Sequence, residues 1–167
     1  VQSRQSDNFY LKHNATDKGY SSSGAVFTQS MNKKDFTDRV TVIYGHNGYG
    51  DTYFTTLHRF EKQDFFEKHK KFVIYTANEK LTYRIVSAFK YDDRHIMNSF
   101  DFHDDNIFKE FIEMVQNPTS SNKNVSNSLD KEITIDDNIV VLSTCFTGQK
   151  SNRYLVCGVL VKNEKTN

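Results

Sequence analysis

The stretch that decides the fold is IVVLSTCFTGQKSNRYLVCGVLV, residues 139–161. Two runs rich in Val, Ile and Leu flank a short polar segment, which is the pattern of two neighbouring strands joined by a loop. The first run ends at Cys145, and Arg153 opens the second. The stretch therefore predicts a β-rich domain with a thiol at a strand exit and a guanidinium at the following strand entry.

Segments of the same kind occur along the rest of the chain. Six strands are predicted, at residues 24–30, 40–46, 71–77, 81–91, 139–145 and 154–162. Short helical pieces are predicted at residues 53–60 and 62–70, a longer helix at 104–116, and an exposed polar loop at 119–128. We expect one domain over residues 1–167, a mostly antiparallel β-barrel or sandwich with the longer helix inserted before the last two strands.

Composition excludes several classes of partner. The chain has 22 basic and 21 acidic residues and a net charge of +1, which argues against nucleic acid held by phosphate contacts and against a polybasic membrane patch. No apolar run approaches the ~20 residues of a membrane span, and no signal peptide is visible. Because the chain begins at Val1 without an initiator Met, we interpret it as a fragment whose anchor or targeting segment is missing.

The two cysteines have different surroundings. Cys145 shares one face of its predicted strand with Val141 and Ser143, at the end that meets a loop. It is either a partly buried small residue or a reactive thiol. Cys157 lies among apolar residues in mid-strand, and we assign it to packing. A disulfide between Cys145 and Cys157 is possible across a hairpin, but the sequence does not give the distance that it requires.

A reactive thiol needs a proton carrier, and His46 is the candidate. It ends a predicted strand and leads into a Gly-rich turn, so it lies at a strand exit as Cys145 does. Arg153 can return close to Cys145 across the hairpin and stabilise an oxyanion. Taken singly, His46 could equally be an ordinary loop histidine, and Arg153 an ordinary arginine at the edge of a sheet. The other five histidines are expected at the surface, at positions 13, 58, 69, 95 and 103.

Metal binding finds no support in the spacing of ligand residues. The histidines and cysteines do not form a zinc motif. The acidic pairs at positions 92–93, 104–105 and 136–137 lack the alternating ligands of a calcium loop. We interpret them as turn and cap residues.

Together, these motifs resemble a known family. LSTC at residues 142–145, an Arg eight residues later, and IYGHN at residues 43–47 are similar to the sortases, and most of all to class B sortases. The stretches VQSRQSDNFYLKHN, FEKQDFFEKHKKF, SAFKYDD and ITIDDNIVVLSTC, and the helix at 104–116, extend the resemblance nearly from end to end. It implies a closed sortase β-barrel.

The resemblance also implies an activity. Cys145 would be the nucleophile, His46 the general acid/base and Arg153 the oxyanion or substrate-carbonyl ligand of a cysteine transpeptidase. Such enzymes cleave a sorting signal of the Asn-Pro-X-Thr-Asn or Pro-X-Thr-Gly type after Thr, form a thioester, and transfer the surface protein to an amine of peptidoglycan or its cross-bridge. By the same resemblance, Ser143, Leu11 and Asp7 are groove residues that bind substrate.

Location and alternatives follow from the same resemblance. It implies no metal or organic cofactor, and it places the native protein on the extracellular face of a Gram-positive cell membrane, held by the missing N-terminal segment. One alternative keeps the nucleophile but changes the acceptor, as in a pilus-polymerising sortase or a thiol peptidase that uses water. Another is a non-catalytic sortase-like module that binds peptides.

Overall fold

The computed structural model describes residues 1–127, 129 and 131–166. Its strands are β1 (Phe27–Thr28), β2 (Val40–Tyr44), β3 (Lys71–Tyr75), β4 (Glu79–Asp92), β5 (Lys123–Val125), β6 (Ile139–Phe146) and β7 (Gln149–Lys165). Its helices are α1 (Gln63–Lys68), α2 (Ile96–Ser99) and α3 (Asp105–Gln116), with 3-10 helices at Phe9–Leu11 and Phe54–Glu61. In this part of the chain, each helix is too short or too polar to cross a bilayer.

The strands form one sheet in the order β1-β2-β6-β7-β4-β3, and β5 pairs with β4 at the side of this path. The β2–β6 pair is parallel, and the other pairs are antiparallel. β6 therefore lies between an early strand, β2, and the last strand, β7. This arrangement brings residues near position 45 beside residues near positions 145 and 153.

Apolar side chains cover both faces of the central strands. On one face, Val141, Leu155 and Cys157 belong to a core shared with Phe108 and Phe111 of α3. On the other face, a second core forms under α1 and the longer 3-10 helix; its fully or nearly buried members include Leu57, Phe66, Tyr154 and Val156. Because strand side chains alternate between faces, the run of small and branched residues in β6 and β7 supplies both cores.

The longer predicted helix is confirmed as α3. Asp104 caps it, because its side chain accepts hydrogen bonds from the Asn106 and Ile107 backbone N–H groups at 2.7 and 3.3 Å. The helix ends at Gln116, where Asn117 precedes a proline. α3 precedes β6 and β7, as predicted from the sequence.

The six predicted strands are present, but their extents differ. β1 is only two residues long, since the backbone just before it bonds elsewhere: Ala25 N–H donates to the Tyr10 carbonyl at 2.9 Å. β5 lies inside the segment predicted to be an exposed loop, whose Ser128 is outside the described residues. Lys and Asn are poor strand formers, so the composition of this segment did not predict β5. Its Asn124 side chain donates to the Phe60 carbonyl at 2.7 Å.

The connection between Cys145 and Arg153 is also shorter than predicted. The polar segment FTGQKSN at residues 146–152, expected from the sequence to be the loop between the two strands, contains only a turn at Thr147 and Gly148. Gly148 has a φ of +75°, which glycine adopts without strain. A register shift after Cys145 accommodates the extra residues of β7. The predicted return of Arg153 to Cys145 is confirmed.

Candidate active site

Three predicted site residues meet at the same end of the sheet. Cys145 of β6 is paired with Arg153 of β7. On the other side of β6, the last parallel pair joins Tyr44 to Ser143, and His46 follows two residues after the end of β2. His46, Cys145 and Arg153 all line one groove. The structure thus brings together the thiol, the imidazole and the guanidinium that the sequence pattern singled out.

The next row inward forms the floor of this groove. Tyr44, Ser143 and Leu155 are register partners across β2, β6 and β7, and all three line it. Ser143 is buried, with 4% of its surface exposed. Leu11 also lines the groove, whereas Asp7 is not among its lining residues and its neighbour Asn8 is.

Asp7 instead supports the chain beside the groove. Its Oδ1 accepts a hydrogen bond from Ser30 N–H at 2.7 Å. Hydrogen bonding from Ser30 lowers the pKa of the Asp7 carboxyl, and the charge of His95 adds to this effect. The carboxylate is therefore already engaged with the segment after β1.

The orientation of His46 is set by the backbone of Leu11. His46 Nε2 lies 2.6 Å from the Leu11 carbonyl oxygen. Because a carbonyl oxygen only accepts, Nε2 carries a proton in this arrangement. In the neutral ring, Nδ1 is then the basic nitrogen. The 3-10 helix at Phe9–Leu11 thus selects which His46 atom can exchange a proton.

The two cysteines differ in exposure, as predicted. Cys145 is exposed and free, while Cys157 is fully buried and free. Burial strongly raises the pKa of the Cys157 thiol. Cys157 is paired with Val141, four residues inward from Cys145 along β6, and the possible bridge between the cysteines is absent. Cys145 is therefore the accessible nucleophile of the pair.

Arg153 is held by the chain that precedes it. Its Nη1 donates to the carbonyls of Lys150 and Asn152 at 2.9 and 3.1 Å. A guanidinium has five N–H donors, so these two bonds leave donor capacity for a substrate oxygen. The charge of Arg153 also reaches Tyr44, although burial dominates there and raises the pKa of Tyr44 to about 12. Tyr44 is a neutral phenol at neutral pH.

Several polar atoms in the groove wall lack partners in the described structure. These buried atoms are Gln29 Oε1, Tyr44 Oη, Tyr91 Oη and Thr144 Oγ1. Buried polar atoms are normally hydrogen-bonded, and an unpaired one costs about 1–3 kcal/mol. Tyr and Thr hydroxyls can donate or accept, and Gln29 Oε1 accepts. The groove is suited to a ligand with a polar backbone or an amide side chain.

Sequence reasoning missed a second group that contacts Cys145 through its backbone. Asn47 Nδ2 lies 3.1 Å from the Cys145 carbonyl oxygen, and His58 Nε2 lies 3.0 Å from the same oxygen. His58 was predicted at the surface, but only 14% of its side chain is exposed. It stacks on Tyr154 with the ring centroids 5.2 Å apart. The amphipathic pattern around His58 could not reveal this contact, which depends on the position of the 3-10 helix.

His95 is a further lining residue that the sequence did not single out. It lies at the start of α2, where its side chain accepts from Asn98 N–H, and it faces Tyr44 with the ring centroids 6.3 Å apart. The acidic pairs have the turn and cap roles predicted for them: besides Asp104, Asp92 binds Arg94, and Asp137 accepts from Thr134 N–H. Within residues 1–127, 129 and 131–166, no three His, Cys, Asp or Glu side chains could share a metal ion.

Comparisons with known proteins agree with this geometry. A family model described as the sortase domain matches residues 8–161. Sortase B of Staphylococcus aureus is 28% identical over 141 residues, covering 83% of this chain and 55% of that protein. Sortase B of Listeria monocytogenes is 25% identical over 163 residues, covering 96% and 63%. The chain therefore spans less than two thirds of the length of either curated relative.

Solved structures show the same fold. The S. aureus sortase B–substrate complex has a TM-score of 0.80 at 26% identity, covering 97% of this chain and 72% of that one. A mutant form of Clostridium perfringens sortase B gives 0.83 at 25%, covering 97% and 74%. A Streptococcus pyogenes class B sortase involved in pilus biogenesis gives 0.75 at 28%, covering 96% and 83%. The predicted fold class, mostly β with short helices, is confirmed.

Proposed function

Since the chain belongs to the sortase family, we propose that it is a class B cysteine transpeptidase that acts on protein sorting signals. The observation that carries the proposal is the groove that His46, Cys145 and Arg153 line together, in which Cys145 and Arg153 are register partners of β6 and β7. A peptide-binding module needs no such combination of accessible thiol, oriented imidazole and adjacent guanidinium.

The first half-reaction forms a thioester. Cys145 reacts as the thiolate, with the proton it has lost held on His46 Nδ1; its Sγ attacks the carbonyl carbon of Thr in the signal, and a C–S bond forms. Arg153 donates hydrogen bonds to the oxyanion of the tetrahedral intermediate. The Thr C–N bond then breaks, and His46 gives its Nδ1 proton to the leaving amine. The Leu11 carbonyl, by holding Nε2–H, keeps Nδ1 as the atom that transfers the proton.

The second half-reaction reverses the proton flow. An acceptor amine attacks the thioester carbonyl, His46 Nδ1 takes the proton that the amine loses, and the C–S bond breaks to return the Cys145 thiolate. The product is an amide between Thr and the acceptor. A thioester retains enough reactivity for this step, provided that the amine reacts faster than water.

The unpaired polar atoms of the groove support a peptide substrate. Tyr44 Oη can bond to a peptide carbonyl, and Gln29 Oε1 can accept from an amide N–H. We propose Leu11 and Ser143 as groove contacts and Asp7 as a residue at its edge. The substrate would be a signal of the Asn-Pro-X-Thr-Asn or Pro-X-Thr-Gly type on a surface protein.

The acceptor and location follow from the same proposal. The acceptor would be an amine of peptidoglycan or its cross-bridge, and the enzyme would act on the extracellular face of a Gram-positive membrane. The similarity to a class B sortase involved in pilus biogenesis favours one second candidate, transfer to a pilin amine by the same thioester. The two functions differ in the amine that discharges the acyl-enzyme.

Intact-mass spectrometry tests the proposal. The protein is mixed, without added amine, with peptides that contain Asn-Pro-X-Thr-Asn or Pro-X-Thr-Gly. We expect a mass gain equal to the N-terminal fragment, mapped to Cys145 and discharged by a primary amine. Cys145→Ala should give no adduct while it keeps the fold. The enzyme assignment is wrong if every peptide fails and Cys145 is also inert to iodoacetamide. Comparing a cross-bridge peptide with a pilin lysine peptide as acceptor separates the two functions.

A further inference from the structure

The backbone ladder between β2 and β6 stops before it reaches the carbonyl of the nucleophile. A late bond of this ladder runs from Gly45 N–H to the Ser143 carbonyl at 3.1 Å. Continued in the same register, a parallel ladder would also have a bond from the N–H of residue 47 to the carbonyl of residue 145. The Asn47 side chain takes that place, because its Nδ2 donates to the Cys145 carbonyl at 3.1 Å and to Thr147 Oγ1 at 2.8 Å.

A second side chain reaches the same carbonyl. His58 Nε2 lies 3.0 Å from the Cys145 oxygen and 3.2 Å from Asn47 Nδ2. Its Nδ1 lies 2.6 Å from Glu61 Oε1, and Glu61 Oε2 accepts from Asn122 Nδ2 at 3.0 Å. A continuous chain of polar contacts thus joins the loop before β5 to the exit of β6.

Counting protons identifies the form of His58 that fits. Glu61 as a carboxylate only accepts, so His58 Nδ1 donates to it. Asn47 Nδ2 has two hydrogens, which Cys145 O and Thr147 Oγ1 already use. His58 Nε2 satisfies its own contact with Cys145 O only if it donates as well. The imidazolium donates to Glu61 and to the Cys145 oxygen, and its Nε2 then meets Asn47 Nδ2, a second donor, at the longer distance of 3.2 Å. The neutral ring protonated at Nδ1 instead turns a lone pair toward the carbonyl at the shorter distance of 3.0 Å.

The other titratable groups around His58 do not donate a hydrogen bond to the Cys145 carbonyl in its place. Glu61 is the anion on its own helix. From β7, Tyr154 packs on the ring, and burial strongly raises its pKa, so that it stays neutral. From β6, Phe146 meets the ring edge to face, and Lys90 of β4 lies over the far side of this system, with Nζ 5.1 Å from the Phe146 centroid. Cys145 itself faces His58 through its carbonyl.

We propose that Asn47 and His58 are positioning residues that hold the exit of β6, and with it the Cys145 thiol, in register with His46, and that His58 does so only while protonated. The inference rests on the proposed function, for which the position of Cys145 matters. Asn47 directly follows His46 in sequence. Its hydrogen bond to the Cys145 carbonyl therefore links the loop that carries His46 to the strand that carries Cys145. Loss of the His58 proton should loosen this link and slow acylation.

Three variants separate these roles. Asn47→Asp keeps the shape of the side chain but removes its donor. His58→Ala removes the Nε2 donor at every pH. His58→Gln places a neutral amide donor near the Nε2 position and does not titrate in this range. His103→Gln is the matched control, since the His103 side chain is fully exposed beside Asp101 and far from Cys145 in the fold.

Two rates are measured across about pH 5.5–9, the range in which histidine titrates. One is single-turnover thioester formation, and the other is alkylation of Cys145 by iodoacetamide. Thermal unfolding checks that each variant is folded. We expect Asn47→Asp to slow both reactions about tenfold, the scale of one lost hydrogen bond. His58→Ala should slow both about three- to tenfold at low pH and converge with the unmodified protein at high pH. His58→Gln should match the unmodified protein at low pH and be faster than it at high pH, where only the unmodified protein has lost the donor at this position.

The proposal fails if the ratio of His58→Ala to the unmodified rate is independent of pH, or if His58→Gln is no faster than His58→Ala in a folded protein. Failure of the proposed function is a different result. In that case no peptide acylates the unmodified protein. The pH dependence of Cys145 alkylation in the variants still tests whether Asn47 and His58 position the Cys145 thiol.

Discussion

Cys145 and Arg153 are direct register partners in the antiparallel pair of β6 and β7, immediately before the turn that joins the two strands. The pairing sets thiol and guanidinium on the same face of the sheet. A register shift directly after Cys145 lets the hairpin close with a two-residue turn while this pair is preserved. The distance between nucleophile and cation is thus fixed by the sheet and not by a flexible loop.

Replacing Arg153 should therefore affect the chemical step. Arg153→Ala is expected to reduce the single-turnover acylation rate by about 10²–10³-fold, because removal of one oxyanion donor has that effect in other acyl-transfer enzymes. Arg153→Lys should recover little of the loss, since an ammonium lacks the guanidinium fork. Rapid-quench mass spectrometry measures the rate. An unchanged rate in a folded Arg153→Ala protein would remove Arg153 from the mechanism.

His46→Gln should lower acylation by about 10²–10⁴-fold, the usual contribution of a general acid/base. The comparison is His69→Gln, in which an exposed histidine on the other side of the sheet is changed. If His46→Gln and His69→Gln behave alike, His46 is not the proton carrier.

Tyr44→Phe should separate binding from stability. The change removes a buried hydroxyl without a partner, so the free energy of unfolding should be unchanged or higher by up to about 1 kcal/mol. If substrate satisfies that hydroxyl, KM should rise about five- to tenfold. Tyr83→Phe is the matched control, because Tyr83 also has a buried unpaired hydroxyl but does not line the groove. Equal KM values for the two variants would exclude Tyr44 from substrate binding.

Stability should fall in alkaline solution. Burial raises the pKa of Cys157 above the ordinary thiol value of 9.0, so above that pH the unfolded chain has lost a proton that the folded chain still binds. Stability then decreases with rising pH, by about 1.4 kcal/mol per unit for each such group. Above pH ~10 the buried tyrosines, whose pKa values are also raised, add to the slope.

Urea unfolding of the unmodified protein and of Cys157→Ala at about pH 7.5, 9 and 10 measures this effect. Cys157→Ala should be less stable at pH 7.5 but should lose less stability between pH 9 and 10. Parallel pH profiles for the two proteins would show that Cys157 does not supply the difference. In native buffer, iodoacetamide should modify Cys145 alone.

The sequence predicted the parts of the site that depend on strand ends. The alternation of IVVLSTC, the strand ending at His46 and the position of Arg153 all follow from local patterns that the sheet preserves. What the sequence could not supply is the contact between different layers. His58 looks like a surface residue within an amphipathic segment, and only the packing of its 3-10 helix against β6 and β7 buries it.

The errors in the fold have a related cause. β5 consists of Lys, Asn and Val, and it pairs with β4 because Asn124 is bound to the Phe60 carbonyl, a tertiary contact without a local signal. The polar segment at residues 146–152 predicted a loop, whereas most of it continues the two strands and the turn is confined to Thr147 and Gly148. Local propensity therefore located the strands, and long-range contacts decided their ends.

The parallel pairing of β2 with β6 also has a consequence for folding kinetics. Val40 pairs with Ile139, which lies 99 positions later in the 167-residue chain. Contacts between distant parts of a chain close late and slow the search for the native state. During synthesis, His46 emerges long before Cys145 and Arg153. The thiol acquires its proton partner only when the last third of the chain has been made and β6 has inserted between β2 and β7.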